Sequence, residues 1–366
     1  MQNYYLPPAA STPWRPSFSP DGEWIVFSMA GSIWKIRIGE TTAYELTAGS
    51  TYDSSPVFSR RLSKIVYTAD EGYKAINLRM LDLKTGESHA LTEGSQVNSG
   101  SGVRAGRQAP ALCLDGPRRL VQPYAMPLDA AGNPGAAVQL TADHSYHNAR
   151  LYFGARRPTH PADHCARRRR DDSRFQPRHL ARFAWVWRAP IEPNAMEKAK
   201  LILQEETLYR TRPQWSPDGK RVSFTAPTAD AVRQPLSVLP VGGGGEPYQL
   251  TFGEWDHFEP RWSPDGEWIV YVANEHGLSE LRLLETFGGE ERPIEIHQRV
   301  YKRPMGTLAV TVRDGRTGPL TSAKIMLTAA DGKAYAPPTP TTVSARGRFS
   351  RLLPHGRDLR SGPACR

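Results

Sequence analysis

The chain has 366 residues, and its 47 Lys and Arg against 37 Asp and Glu give a formal net charge of +10. This length, with 39% hydrophobic residues, allows a large buried core. No apolar run reaches the roughly 18 residues of a membrane-spanning helix, so no membrane span is expected. The first residues lack the basic start and the apolar core of a signal peptide, and none is predicted in this chain.

Strand–turn–strand units recur from the N-terminus onward. Three of them contain the tetrapeptide Ser-Pro-Asp-Gly: WRPSFSPDG from Trp14, TRPQWSPDG from Thr211 and FEPRWSPDG from Phe258. A variant unit runs from Asp53 to Ser63 and has PVFSRRLS in place of the turn sequence. In a type I turn Pro presets φ at the second position, Asp suits the third, and Gly closes the turn. The predicted turn residues are Asp21, Gly22, Asp218, Gly219, Asp265 and Gly266.

The spacing of these units predicts a propeller. Phe18 and Phe58 are 40 residues apart, Trp215 and Trp262 are 47 apart, and the interval of 157 between Phe58 and Trp215 fits three periods of about 52. Two further repeats therefore lie within that interval. Alternating apolar runs give four strands in each well-preserved unit, which is the content of a propeller blade. We predict an all-β fold with a six-bladed β-propeller over residues 1–302.

Two interior segments and the tail depart from this pattern. Residues 99–123 and 155–188 have no alternating apolar face where the third and fourth blades are due, so these blades are predicted to be degraded, with residues 99–123 and 155–182 loosely ordered. The tail, residues 339–366, has the same character and is predicted to be disordered. Arg outnumbers Asp by fifteen in the three segments together, so the basicity of the chain resides there. We interpret them as compensating frameshifts followed by an uncorrected one, which would make the chain a truncated product.

The blade sequences resemble TolB-like six-bladed β-propellers, in particular those at the start of large bacterial proteins with an amidohydrolase-type metallohydrolase domain. The resemblance depends on the Pro-x-[Trp/Phe]-Ser-Pro-Asp-Gly turns and on the phrases YELT, HALT, VQLT and YQLT. It implies an exported protein, periplasmic or secreted. Residues 303–338 contain two alternating strands around DGRTG and resemble the start of a carboxypeptidase-regulatory-like β-sandwich, which is incomplete because such a sandwich needs about seven strands.

Catalytic motifs are missing from the sequence. There is no nucleophile elbow, no HExxH, no Walker A sequence and no dinucleotide fingerprint. Trp255, Asp256 and His257 precede the last repeat, and Tyr146 and His147 hold the comparable place before the fourth. Such residues usually cap blade loops, but equivalent loops gather on one face of a propeller, so these five are the candidate binding residues.

Other signals are better explained without a site. His160, His164 and Cys165 have no second ligand pair nearby, so no metal site is predicted. The basic run at 167–170 falls in an anomalous segment, so no nucleic-acid binding is predicted, and the glycines at 242–245 lack the Lys-Ser/Thr of a phosphate loop. No cofactor is expected, and the protein is predicted to be a monomer.

These observations predict a non-catalytic binding or scaffold module that takes a protein or peptide on one propeller face. The alternative is the propeller part of an amidohydrolase or peptidase whose catalytic domain is missing from this chain. We further assign each Leu-Thr strand to the start of the next blade. On that assignment, residues 294–297 should close the ring by hydrogen bonding alongside residues 15–19.

Overall fold

The computed structural model contains only β-strands and irregular segments in the part of the chain that it describes. No helix long and apolar enough to cross a membrane is found among those residues. The described residues are 12–59, 63–71, 75–94, 98–103, 110–115, 121–129, 132–139, 184–188, 200–205, 213–225, 233–241, 245–287, 289–310, 312–315, 318–319, 321, 327–328, 334–335 and 349–354.

Four blades are resolved in full, each an antiparallel sheet of four consecutive strands. The first blade contains β1 (Trp14–Phe18), β2 (Trp24–Met29), β3 (Ser32–Arg37) and β4 (Thr42–Glu45). The second contains β5 (Tyr52–Ser59), β6 (Lys64–Asp70), β7 (Ile76–Asp82) and β8 (Ser88–Ala90).

Two further sheets stand between these blades and the last two in sequence. The first has β9 (Asn98–Val103), β10 (Pro110–Asp115), β11 (Val121–Ala125) and β12 (Val138–Gln139), and the second has β13 (Ala184–Arg188) and β14 (Lys200–Glu205). The penultimate blade contains β15 (Gln214–Trp215), β16 (Arg221–Thr225), β17 (Leu236–Pro240) and β18 (Tyr248–Gln249). The last blade contains β19 (His257–Trp262), β20 (Trp268–Ala273), β21 (Glu280–Glu285) and β22 (Glu291–Ile294).

The strand assignment corrects our prediction for the Leu-Thr strands. Three strands, β9, β10 and β11, run through residues 98–125, and the loose ordering that we predicted for residues 99–123 stays a prediction. The Leu-Thr strands β4, β8 and β18 are the fourth strands of their own blades rather than the first strands of the next. A tight turn with Gly39 at φ 86° joins β3 to β4, and consecutive strands joined by so short a turn pair with each other.

The Ser-Pro-Asp-Gly turns share one hydrogen-bond network. In the penultimate blade, Gly219 N donates to Ser216 O at 2.9 Å, which makes Asp218 the third residue of the turn. The Asp218 carboxylate accepts from Lys220 N at 3.0 Å, and Ser216 Oγ accepts from Arg221 N at 3.0 Å. The first and last blades repeat these contacts with their own Ser and Asp. Ser and Asp are therefore fixed by the backbone N–H groups that they satisfy.

The core lies between neighbouring blades rather than within one. Period-2 alternation sends Phe27 toward the last blade, where it packs with Val270, and Val26 toward the second blade, where it packs with Ile65. A third cluster joins the penultimate and last blades. Both faces of the first and last sheets are covered, so β2 and β20 are apolar at almost every position, which explains runs such as EWIVFS.

First strands lie at the centre of the assembly. β1 contacts both β5 and β19, and β15 contacts β19, whereas no fourth strand contacts another fourth strand among the described elements. Blades that converge on their first strands in this way surround the central channel of a propeller.

Our prediction for ring closure is wrong. Ile294 pairs with Leu281 in β22, as the fourth strand of the last blade, and so cannot lie alongside β1. The chain instead continues into β23 (Gln298–Val300), which pairs in parallel with β4 at the outer edge of the first blade.

Beyond the propeller, β24 (Met305–Val310) pairs with β27 (Phe349–Pro354), and β25 (Leu327–Thr328) pairs with β26 (Ala334–Tyr335). On either side of the DGRTG motif, Asp314 N donates to Pro319 O at 3.0 Å and Thr321 N donates to Val312 O at 3.1 Å. β27 lies in the tail that we predicted to be disordered.

Candidate functional site

The candidate residues Trp255, Asp256 and His257 lie where the connection from β18 enters β19, the first strand of the last blade. They are therefore at the channel side of the propeller, as expected for a loop that leads into a first strand. Tyr146 and His147 lie outside the described residues.

Asp256 serves as a structural link in this loop. Its carboxylate accepts from Gln234 N at 3.1 Å, and its own N–H donates to the Asn274 side-chain oxygen at 2.8 Å. The loop is thereby tied to the penultimate blade and to the turn between β20 and β21. No hydrogen bond between Asp256 and His257 occurs in this described region, because successive residues point to opposite sides of the chain.

His257 is directed into the core instead. Its side chain is almost fully buried, its ring lies 5.3 Å from the Tyr271 ring, and neither ring nitrogen has a hydrogen-bond partner among the described residues. Burial, together with the positive charge of Arg282, lowers the pKa of His257 to about 4. The imidazole is therefore neutral at physiological pH.

Trp255 packs against the apolar cluster between the penultimate and last blades. Its indole nitrogen is buried and has no hydrogen-bond partner in the described part of the chain. The six-membered ring covers Gly253, where an added Cβ would lie 2.6 Å from the Trp255 ring. Only glycine fits under this indole, so a larger residue at position 253 would displace the Trp255 ring.

A second group of polar side chains, missed by the sequence analysis, lies on the first strands. In three blades the residue just before the proline of the first strand has a left-handed backbone: Arg15 at φ 54°, Ser55 at 56° and Glu259 at 53°. The pairing register shifts at each of these points, so each is a β-bulge, which redirects a side chain. The signal for it was the x-Pro pair that recurs in every unit.

These bulges bring side chains from three blades together. Arg15 Nε lies 3.4 Å from Glu259 Oε1, Arg15 also donates to Ser55 Oγ, and Arg261 lies 3.8 Å from the other Glu259 oxygen. The Glu259 side chain is 1% exposed, whereas that of Arg15 is 27% exposed. We call Arg15, Ser55, Glu259 and Arg261 the bulge cluster. It holds two guanidinium groups and one carboxylate.

A third polar group surrounds Arg282 on the last blade. Its guanidinium contacts Glu275, Glu280 and Glu291, and Glu291 also accepts from the Tyr271 hydroxyl at 3.0 Å. Burial and the Glu291 charge raise the pKa of Tyr271. Glu275, His276 and Glu280 are close enough to hold a metal ion together, and both carboxylates also contact the Arg282 guanidinium. The arrangement is that of an ion-pair network.

Comparisons with known proteins establish the fold but no family. No protein-family model matches the chain. One curated relative, the "Uncharacterized peptidase YuxL" of Bacillus subtilis (strain 168), is 31% identical over 89 residues, which cover 23% of this chain and 13% of that protein. The match thus spans only a small part of the relative.

Solved structures resemble the chain over most of its length. The match to the tricorn protease covers 97% of this chain and 32% of the protease chain, with a TM-score of 0.53 and 14% identity. An oligogalacturonate lyase from Vibrio parahaemolyticus covers 74% and 76%, with a TM-score of 0.50 and 10% identity. A putative TolB from Agrobacterium tumefaciens covers 78% and 79%, with a TM-score of 0.35 and 13% identity. The first two likenesses show a β-propeller fold.

Proposed function

We propose that the chain is a non-catalytic binding module, which holds a polypeptide partner at the channel where its first strands converge. The observation that carries the proposal is the bulge cluster, to which β1, β5 and β19 each contribute a left-handed residue. A non-glycine residue in this conformation costs roughly 1 kcal/mol or more, and such strain is concentrated at functional sites. Three equivalent strained residues with polar side chains at one place favour a ligand.

The guanidinium chemistry of the cluster favours an acidic ligand. Arg15 and Arg261 bring their guanidinium groups to this place, and the Arg15 side chain is 27% exposed. Guanidinium groups bind carboxylates through paired hydrogen bonds. An acidic side chain of an extended peptide is therefore the best match.

Binding of a labelled acidic peptide tests this proposal. A fluorescein-labelled octapeptide of Asp, Glu and Gly should raise its anisotropy on titration with the protein, and a Gly-Ser octapeptide should not. Arg15→Gln should weaken binding at least tenfold, whereas Arg37→Gln, on an exposed arginine of β3, should leave it unchanged.

Loss of folding must be separated from loss of binding, because Arg15→Gln leaves the buried Glu259 carboxylate without one of its partners. The double variant Arg15→Gln/Glu259→Gln removes both charges of the pair. If this folded variant binds the acidic peptide as well as the wild type does, the proposal is wrong.

The second candidate function is the propeller part of an amidohydrolase or peptidase, with the catalytic domain outside this chain. The 89-residue match to a protein named as a peptidase favours it. Coding DNA downstream of residue 366 should then contain, in some frame, the clustered His and Asp codons of a metallohydrolase or the Ser, Asp and His codons of a serine peptidase.

We also propose the six-blade count. Its support is the repeat spacing together with the two sheets, β9–β12 and β13–β14, that stand in sequence between the second and penultimate blades. An exported location, periplasmic or secreted, is proposed only from the resemblance of the blade sequences to TolB-like propellers.

A further inference from the structure

The Ser-Pro-Asp-Gly turns and the turns that join third to fourth strands lie at the same end of each blade, because consecutive antiparallel strands reverse direction. We call this end the turn face. Neighbouring blades meet there: the Pro217 ring lies 3.5 Å from the position of a Cβ on Gly266, and the Pro264 ring lies 3.7 Å from that of a Cβ on Gly22. The penultimate, last and first blades therefore present one continuous turn face.

Arg221, the first residue of β16, reaches across the turn face to the last blade. Its guanidinium carbon lies 4.9 Å from the centroid of the Trp262 ring and 5.0 Å from that of the Phe287 ring. The guanidinium has no ion pair and no hydrogen bond with the described residues, and the Asp218 carboxylate of its own blade accepts from Lys220 N at 3.0 Å instead. Contact with the two rings orients the guanidinium and leaves its N–H donors available to a ligand.

Phe287 lies beside this guanidinium and is 77% exposed, yet the turn on which it lies is fixed. Thr286 N donates to Glu267 O at 2.8 Å, and Thr286 Oγ1 donates to Gly266 O at 3.1 Å. A side chain on a turn that is held in this way loses little conformational freedom when a partner covers it. The exposed ring is therefore well suited to binding.

The blade repeat does not require an aromatic residue at this position. The residue after the third strand makes the same backbone hydrogen bond in three blades: Ile38 N to Glu23 O, Leu83 N to Ser63 O, and Thr286 N to Glu267 O. The next residue is Gly39 in the first blade and Lys84 in the second, where the last blade has Phe287. The aromatic ring is thus a feature of the last blade alone among these three, and the construction of the blade does not explain it.

We propose that Phe287 and Arg221, with the Trp262 ring supporting the guanidinium, form a docking surface for an acidic segment of a partner protein. In this segment a carboxylate lies next to an apolar side chain. The guanidinium donates paired hydrogen bonds to the carboxylate, and the apolar side chain packs on the Phe287 ring. Arginine and aromatic residues are enriched at the centres of protein interfaces. The surface shares no residue with the bulge cluster and is a second site beyond the proposed channel ligand.

Amide hydrogen exchange of the full chain with a peptide probe tests this surface. The probe is the octapeptide Gly-Ser-Leu-Glu-Leu-Glu-Ser-Gly, and its control has Ser in place of both Leu. The probe should slow exchange of the Arg221, Thr286 and Phe287 amides, and the control peptide should not, because it lacks the apolar contact. The probe concentration that protects the Thr286 amide by half measures the affinity.

Two variants test the roles of the side chains. Phe287→Ala and Arg221→Gln should each raise that probe concentration about tenfold, as expected for residues at the centre of an interface. Phe287→Ala should keep the wild-type unfolding midpoint, because the ring is exposed. Arg292→Gln is the matched control, since the Arg292 guanidinium also lies over a tryptophan ring but pairs with Glu290, and it should leave binding unchanged.

The two proposed sites are separated by Arg15→Gln, which should leave the protection of the Thr286 amide unchanged. Loss of that protection in Arg15→Gln would mean that the peptide binds at the channel alone, and the turn-face proposal would be wrong. Equal binding to the wild type and to Phe287→Ala would overturn it as well. If sedimentation equilibrium shows a dimeric wild type and a monomeric Phe287→Ala, a second copy of the chain covers the surface, which also contradicts the proposal.

Discussion

At the residue scale, the turn sequences could be predicted because their chemistry is local. Pro, Asp and Gly act within four residues, so a turn needs no knowledge of the rest of the fold. The bulge cluster could not be predicted in the same way, because Arg15, Ser55 and Glu259 are far apart in sequence and meet only when the first strands converge. The proline that follows each of these residues marks the position of a bulge, but it does not indicate that the three side chains come into contact.

The direction of a side chain also escaped prediction. Asp256 and His257 are neighbours in sequence, and we predicted both to be binding residues on the same loop. In the structure the carboxylate bonds to the backbone of Gln234, and the imidazole lies against Tyr271. The alternation of side chains at the start of a strand separates the two groups.

His257 makes stability depend on pH. Its pKa is about 4 in the folded protein and near 6.5 in the unfolded chain, so the unfolded chain takes up a proton first as the pH falls. Stability should therefore be complete above pH 6.5 and decrease between pH 6.5 and 4, by about 3 kcal/mol in total. Urea unfolding across this range should show a shallower pH dependence for His257→Gln than for the wild type. Identical slopes for the His257 variant and the wild type would contradict the buried neutral imidazole.

Gly219 tests the turn. Its φ is 71° and an added Cβ would meet no atom within 4 Å, so Gly219→Ala should cost about 1–2 kcal/mol of unfolding free energy through backbone strain alone. Gly49 has no left-handed φ, and an added Cβ there would meet only Thr51 Oγ1 at 4.0 Å. Gly49→Ala should therefore be neutral or slightly stabilising in the same chemical denaturation measurement. Equal effects at the two positions would argue against a left-handed Gly219.

At the element scale, apolar alternation predicted where strands form, but it did not predict which strands pair with each other. The Leu-Thr strands were recognised and yet assigned to the wrong blade, because period alone does not say whether a strand pairs backward or forward. The short turn at Gly39 decides it, since it returns β4 onto β3. Residues 99–123 show the converse case, in which strands form without an alternating apolar pattern.

Phe27 tests the packing between blades. It is fully buried on the face of β2 that meets the last blade, so Phe27→Ala should cost about 3–5 kcal/mol. Tyr248→Ala, at a 43% exposed aromatic residue of β18, should cost less than about 0.5 kcal/mol. Thermal and urea unfolding of the two variants would measure the difference. A small loss for Phe27→Ala would mean that the two blades do not pack as described.

At the scale of the whole molecule, the convergence of first strands is the feature that turns a repeated sequence into a site. It places bulge residues of three blades within contact of one another, and it leaves the outer strands apart. The repeat period predicted the propeller. The repeat period could not predict how the ring closes, because β23 lies outside the repeat and pairs with β4 at the outer edge of the first blade.

The most direct test of a binding site at this convergence is the change in amide hydrogen exchange when the acidic octapeptide is added to the wild-type protein. We expect slower exchange in β1, β5 and β19, centred on residues 14–17, 54–57 and 258–261, with no change in β4, β8 and β22. Protection confined to the outer strands, or spread equally over all blades, would contradict a site built from the first strands.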